Sequence, residues 1–406
     1  MISLHVFDDV FNILIVVTVI SLTARRFRVP SAVALISAGV VSTFSSQLNL
    51  PNLGPEIFTL FLLPPIIYHE TVHMDIEGLI DDSDYILSYA LFGTLIMLTT
   101  VSLYAYFILH FTPIEAILLG IIISPTDPVA VIYAFKEMGV IERFQRIVSG
   151  ESLFNDGVAI VFYSIIITVI SLGSLTIIDI IRITVISIFG GAILGSLSGY
   201  MAHFLFRWTD DKFAKVLISF IVAFGVFRLA EGIGASGVLA VVVAGLIINY
   251  RISKIGGLEQ ESLETLDILW EFIGFAASSI AFIFIGINLE LAVLLSNVGP
   301  ILLLYSFVTL ARFVIVHGLA GVLGNIRGKK LPKNWSNGIF WSGLRGAVSI
   351  VLVLGISNTA LPNTEVIIAL TFGVVLVSNL LHGPTIPYVI KYLNISAQDF
   401  SPTSTD

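Results

Sequence analysis

Residues 124–131 read SPTDPVAV, and they interrupt an apolar block that is otherwise long enough to cross a bilayer. Pro125 and Pro128 remove two backbone donors three residues apart and disrupt the helical ladder, leaving Thr126 and Asp127 between them. Inside a membrane, backbone freed in this way is tolerated only against protein or a water-filled cavity. A second interruption lies in SGLRGAVSI at residues 342–350, where Gly343 and Gly346 flank Leu344 and Arg345. Paired interruptions in comparable places of two halves are the sequence pattern of a transporter's midplane site. The helix dipole ends left in the membrane would suit Asp127 at a positive end and Arg345 at a negative one.

Composition sets the surroundings of these breaks. Of the 406 residues 56% are apolar and 12% charged. Apolar blocks of about 20 residues, enough for a hydrocarbon core of about 30 Å, recur from end to end. About thirteen spanning segments are predicted. The first interruption falls in the fifth and the second in the twelfth. A shift of seven spans reverses membrane direction, so the halves are predicted to be inverted repeats of an all-α polytopic membrane protein with two crossing broken helices. A net charge of −8 is too diffuse to suggest nucleic acid, and the absence of cysteine excludes disulfides and thiolate metal sites. The N-terminus lacks the basic region and cleavage site of a removable signal peptide, so its first apolar block reads as a retained helix.

Lys and Arg give the orientation. Sixteen of the twenty basic residues fall on one side when the spans alternate: Arg25, Arg26, Arg28, Lys136, Arg143, Arg146, Arg207, Lys212, Lys215, Arg251, Lys254, Arg327, Lys329, Lys330, Lys333 and Lys391. By the positive-inside rule that side is cytoplasmic, with the N-terminus outside and the C-terminus inside. On the same side Asp75, Glu77, Asp81, Asp82 and Asp84 form an acidic patch, read as a solvated loop or a cation-attracting vestibule. Arg182 and Arg228 lie near the outer ends of spans, whereas Arg312 and Arg345 lie within spans and need partners or water.

The sixth span opens with SGESLFNDGVAIVFY at residues 149–163. A charged side chain at a bilayer centre costs roughly 2.5–3.5 kcal/mol, so such residues mark a partner or a task. At 100° per residue Ser152 and Asp156 share one helix face, and Glu151 and Asn155 another. Asp156 and Ser152 can address a cavity while Glu151 turns toward a buried base, with Arg345 in the neighbouring broken helix as the natural partner. His73, His110, His203, His317 and His382 have no ligand spacing and are read as structural.

These segments carry a family likeness. The chain resembles the NhaP/NHE branch of the monovalent cation/proton antiporters in LFLLPPIIYHETVHMD (60–75), SPTDPVAV, GESLFNDGVAIVF (150–162), SGVLAVVVAGL (236–246), SSIAFIFIGINL (278–289) and SGLRGAV (342–348). The resemblance implies an NhaA/NhaP-like antiporter fold, with one transport domain over 1–391 and a short polar tail over 392–406. A dimer-interface part (8–80 and 213–292) and a mobile core (84–172 and 297–391) would be linked by a helix at 177–206. It implies a homodimer in the cell membrane and no cofactor. Asp156 would carry the exchanged cation or proton, with Thr126 and Ser152 supplying oxygens and Asp127 helping through water or dipole balance. Glu151 and Arg345 would form a structural ion pair, and Asn155 would hold the crossing together. An Asn before the ion-binding Asp marks the electroneutral branch. One departure concerns the third span, where His69 and then Glu70 stand where many prokaryotic members place an acid. Glu70 would need to turn about 100° to replace it, and His69 would either tune the pH response or cap the helix.

The function expected is exchange of one sodium ion for one proton by alternating access at Asp156, with lithium or potassium as alternative cargo. A potassium/proton antiporter of the same fold is the alternative. A passive channel would need a continuous polar pore, whereas the polar residues cluster at the breaks. Gly234–Ala235–Ser236–Gly237 spells the GxSG of intramembrane serine proteases, with His317 or His382 as a conceivable partner. The segment runs on as SGVLAVVVAGL, where small residues serve helix packing. The tail, SAQDFSPTSTD from residue 396, is short and polar, and regulation by a large tail domain is not expected.

Overall fold

An apolar chain in lipid must satisfy its backbone internally, which leaves the helix or the closed barrel, and apolar blocks of about 20 residues are of helical length. The computed structural model describes residues 4–27, 31–42, 58–72, 74–127, 131–132, 135, 138–173, 176–255, 258–287, 291–327, 331–332, 334–356 and 361–395. Pro30, Pro51, His73, Pro128, the basic residues Arg28, Lys136, Lys329, Lys330 and Lys333, and the tail from 396 lie outside the described residues. Among the described residues there is no strand. Besides the short helices Ile76–Asp81 and Leu291–Ser296, the helices are α1 (Leu4–Phe27), α2 (Ser31–Ser42), α3 (Leu63–Val72), α4 (Ser83–Phe107), α5 (Pro113–Ile123), α6 (Glu142–Leu172) and α7 (Ile177–Trp208). After them come α8 (Lys212–Gly232), α9 (Gly237–Ile255), α10 (Gln260–Ile287), α11 (Val298–Arg327), α12 (Trp335–Trp341), α13 (Ala347–Leu354) and α14 (Thr364–Tyr392). Eight of them, α4, α6 to α11 and α14, are long and apolar enough to cross a membrane. The chain is a multi-pass membrane protein.

The chain divides into two compact units. The first comprises Met1–Asn52, Asp81–Asn155 and Phe282–Asp406; the second comprises Leu53–Ile80 and Asp156–Ala281. These borders follow packing and differ from the division into interface and mobile parts expected from the sequence, notably in grouping the first 52 residues with the broken spans.

In the first unit, α5 begins with a capping box: Thr112 Oγ1 accepts the Glu115 N–H, and the Glu115 carboxylate accepts the Thr112 N–H at 3.0 Å. Glu115 is fully buried and also accepts the Asn363 backbone N–H at 2.9 Å, tying the start of α5 to the residue before α14. At the other end of the unit Asp82 accepts from Arg143 Nη2 at 2.7 Å and Arg146 Nη2 at 3.1 Å. Asp82 is therefore a buried ion-pair partner rather than part of a solvated loop.

In the second unit α7 and α9 pack through small residues. Gly191, Gly195 and Gly199 recur every fourth position, and a Cβ on each would press into the backbone oxygen of Ser236, Ala240 and Ala244 respectively. Ser236 is buried and its Oγ accepts the Leu239 N–H at 3.2 Å, a cap at the start of α9. The serine of the GxSG stretch thus has a structural duty. Replacing Gly195 with Leu is expected to destabilise the protein by about 1–3 kcal/mol through overpacking, read as a lowered unfolding temperature in detergent, whereas Gly157→Ala, inside α6 where a Cβ meets nothing within 4 Å, should leave it unchanged or slightly raised.

Candidate functional site

The two interruptions meet break to break in the first unit. Helix α5 stops at Ile123, and residues 124–127 run without helical structure. Helix α12 stops at Trp341, and α13 resumes at Ala347. The Asp127 N–H donates to the Leu344 carbonyl at 2.9 Å, and the Asp127 carboxylate accepts the Ala347 N–H at 2.9 Å. Asp127 thereby faces the positive end of α13. In the opposite sense, Arg345 Nη1 donates to the carbonyls of Ser124 at 2.7 Å and Pro125 at 2.9 Å, the orphaned carboxyl end of α5. The glycines beside Arg345 are sterically required. A Cβ at Gly346 would overlap the Asp127 carboxylate, and one at Gly343 would overlap the Arg312 guanidinium.

Helix α6 brings its polar turn against the first break. Asn155 Nδ2 donates to Thr126 Oγ1 at 2.7 Å while Asn155 Oδ1 accepts the Thr126 N–H at 3.3 Å. Ser152 Oγ donates to the Thr126 carbonyl. Thr126, Ser152 and Asn155 are all buried, so hydroxyl, carbonyl and amide oxygens converge away from bulk water. Asp156, one residue beyond Asn155 and on the helix face of Ser152, is 7% exposed. Hard oxygen donors of this kind suit a small monovalent or divalent cation rather than a soft metal. Among the described residues no cluster of three or more His, Cys, Asp or Glu side chains could hold a resident metal.

The expected Glu151–Arg345 ion pair is corrected. Glu151 binds Arg312 of α11 instead, with Nη1 to Oε1 at 2.7 Å and Nη2 to Oε2 at 3.0 Å, both residues buried. The physical reason is that the Arg345 guanidinium already serves the α5 carbonyls, whereas Arg312 presents its planar fork to the carboxylate in a two-bond geometry. A small cavity borders Tyr89, Thr94, Glu151, Asn155, Arg312 and Arg345 on one side of this pair.

Other sequence candidates lie elsewhere. His69 and Glu70 sit half-buried on α3 in the second unit, where the His69 ring lies against Gly274 of α10. His203 is buried in α7, and His317 Nε2 meets Asn337 Oδ1 at 3.0 Å. His382 faces the Tyr305 hydroxyl at 2.8 Å in the first unit. The sequence offered one signal for Arg312, its lone charge inside a span, but nothing in it chose between two buried arginines for one glutamate.

Removing one member of a buried ion pair strands the other and costs about 3–5 kcal/mol. A double-mutant cycle on unfolding is expected to give a coupling of about 1–3 kcal/mol between Glu151→Gln and Arg312→Gln. The corresponding cycle between Glu151→Gln and Arg345→Gln should give a smaller value.

Comparison with known proteins matches this arrangement to a family. The family model described as "Sodium/hydrogen exchanger, transmembrane" matches residues 13–392. The chain is 30% identical to the Na(+)/H(+) antiporter NhaS2 of Synechocystis over 96% of this chain and 71% of that protein. It is likewise 30% identical to the Na(+)/H(+) antiporter NhaH of Halobacillus aidingensis over 97% of this chain and 100% of that protein. In fold it resembles the sodium proton antiporter MjNhaP1 of Methanocaldococcus jannaschii, with a TM-score of 0.79 at 19% identity across 96% of this chain and 98% of that one. An all-helical membrane chain with two breaks pinned to each other and a buried Asn155 bonded to one of them belongs, on these matches, to the sodium/hydrogen exchanger family, whose members are transporters and not enzymes.

Proposed function

We propose that the chain exchanges one sodium ion for one proton, without net charge movement, at Asp156. The observation that carries this reading is the buried turn of α6, in which Asn155 is committed to Thr126 and leaves Asp156 as the titratable residue of the pair. Sodium would take the Asp156 carboxylate, the Ser152 hydroxyl and oxygens of Thr126, with Asp127 supporting through the start of α13. Burial raises a carboxylate's affinity for a proton, while nearby helix N-termini favour its charged form. Cation and proton then compete for one site. With a single exchanging carboxylate, the loaded forms carry the same charge, and the empty charged form is the one barred from crossing. That asymmetry enforces antiport.

Alternating access requires one part of the protein to move against another. The mobile core is proposed to span 84–172 and 297–391, moving against a dimer-forming part at 8–80 and 213–292, with 177–206 as the link. About thirteen spans, with the N-terminus outside and the C-terminus inside, are consistent with the bias of Lys and Arg. Placement in the cell membrane as a homodimer completes the proposal. Sodium is preferred over potassium because the named relatives are Na(+)/H(+) antiporters. Glu70 and His69 are proposed as accessory groups of α3.

In proteoliposomes, Asp156→Asn is expected to abolish sodium-driven proton movement while preserving the unfolding temperature. Sodium-driven proton flux persisting in that variant would sink the assignment. Parallel assays with lithium and potassium define the cargo. An imposed membrane potential should leave the steady-state sodium gradient of the native protein unchanged; a clear voltage dependence would require a second proton carrier.

A further inference from the structure

Arg345 lies in the non-helical stretch between α12 and α13, where its own backbone has no helical ladder to hold it. Helix α14 supplies what the break removed. The Arg345 N–H donates to Ser378 Oγ at 3.2 Å, and Asn379 Nδ2 donates to the Arg345 carbonyl at 2.8 Å. Asn379 Nδ2 is fixed in turn on its own helix through the Val375 carbonyl at 2.9 Å. The same face of α14 carries His382 and Thr385, one and two turns beyond Ser378. Trp341, the last residue of α12, donates Nε1–H to Thr385 Oγ1 at 3.0 Å and stacks on the His382 ring at 4.5 Å. An apolar span therefore holds a polar stripe directed at both sides of the break. Ser378, Asn379 and His382 are all buried, so each would be costly there without its partner.

We infer that Ser378 and Asn379 are positioning residues for the cation site, acting through Arg345. The inference rests on the proposed role of Thr126 and Asp156. The path is a chain of single bonds. Asn379 and Ser378 fix the Arg345 backbone, the Arg345 guanidinium grips the carbonyls of Ser124 and Pro125, and Thr126 is the next residue. Thr126 presents its carbonyl to Ser152 and its hydroxyl to Asn155. When the Arg345 carbonyl loses its donor, the stretch relaxes and the Thr126 oxygens drift from the sodium position. The separate tie from the Asp127 N–H to the Leu344 carbonyl remains, so the breaks stay together.

The test uses the full chain in proteoliposomes and reads half-saturating sodium and maximal rate separately. Asn379→Leu keeps the size and removes the donor. It is expected to raise half-saturating sodium about fivefold, the effect of one neutral hydrogen bond, with maximal rate within about twofold. Ser378→Ala should shift half-saturation in the same direction and settles the matter if Asn379→Leu does not fold. Thr371→Val removes another buried hydroxyl of α14, one bonded only to its own helix at Ile367, and should leave half-saturating sodium unchanged. Equal shifts in all three variants, or a fall in maximal rate with half-saturation constant, would overturn the inference. Asp156→Asn runs alongside: its loss of exchange with unchanged half-saturation in the α14 variants rejects the positioning role alone, whereas retained exchange rejects the site reading beneath it.

Discussion

Everything at the centre of this protein follows from a shortage of hydrogen-bond partners in lipid. A helix that stops inside the membrane leaves carbonyls at one end and N–H groups at the other, and water is not there to meet them. The chain answers by making two helices stop at the same place. Arg345 from one break meets the carbonyls of Ser124 and Pro125, and Asp127 from the other meets the Ala347 N–H. Each break supplies the group the other lacks. Neither interruption would be tolerable alone, so the pair is a single structural unit despite lying more than two hundred residues apart in sequence.

The same accounting explains the second arginine. Arg345 is occupied by carbonyl dipoles, so Glu151 requires a different cation, and α11 brings Arg312 with both terminal nitrogens aligned. Among Asp127, Glu151, Arg312 and Arg345 the formal charges sum to zero. On the proposed reading this leaves Asp156 to determine the net charge of the region. A proton and a sodium ion then become equivalent in charge terms, which is the requirement for swapping one for the other.

Much of this was legible in the sequence because membranes make polar residues conspicuous. The prolines around Thr126 and the glycines around Arg345 announced the breaks, and helix polarity assigned Asp127 and Arg345 to opposite ends. That Asn155 holds the crossing together came from the family resemblance, and its bond to Thr126 emerged only with the structure. The pairing of Glu151 was not legible, since two arginines within spans compete and only the crossing geometry chooses between them. Ser378 and Asn379 escaped notice for a different reason. Ser and Asn carry no charge, and a small amide in an apolar run looks like ordinary variation until the carbonyl it serves is located. The burial of Asp82 is not legible because the five acids of its loop look alike in sequence, while Arg143 and Arg146 select one of them as partner.

The buried Glu115 at the far end of α5 now has a mechanical meaning. It ties the start of α5 to Asn363, where α14 begins; α14 holds Arg345 through Asn379; and Arg345 holds the other end of α5. Three members joined at three pins form a triangle, the one linkage of straight bars that cannot shear. Ties at both ends thus hold the first half of the fifth span against α14. Thr126 sits beside one corner of that triangle, next to Pro125, so the same ties place its oxygens.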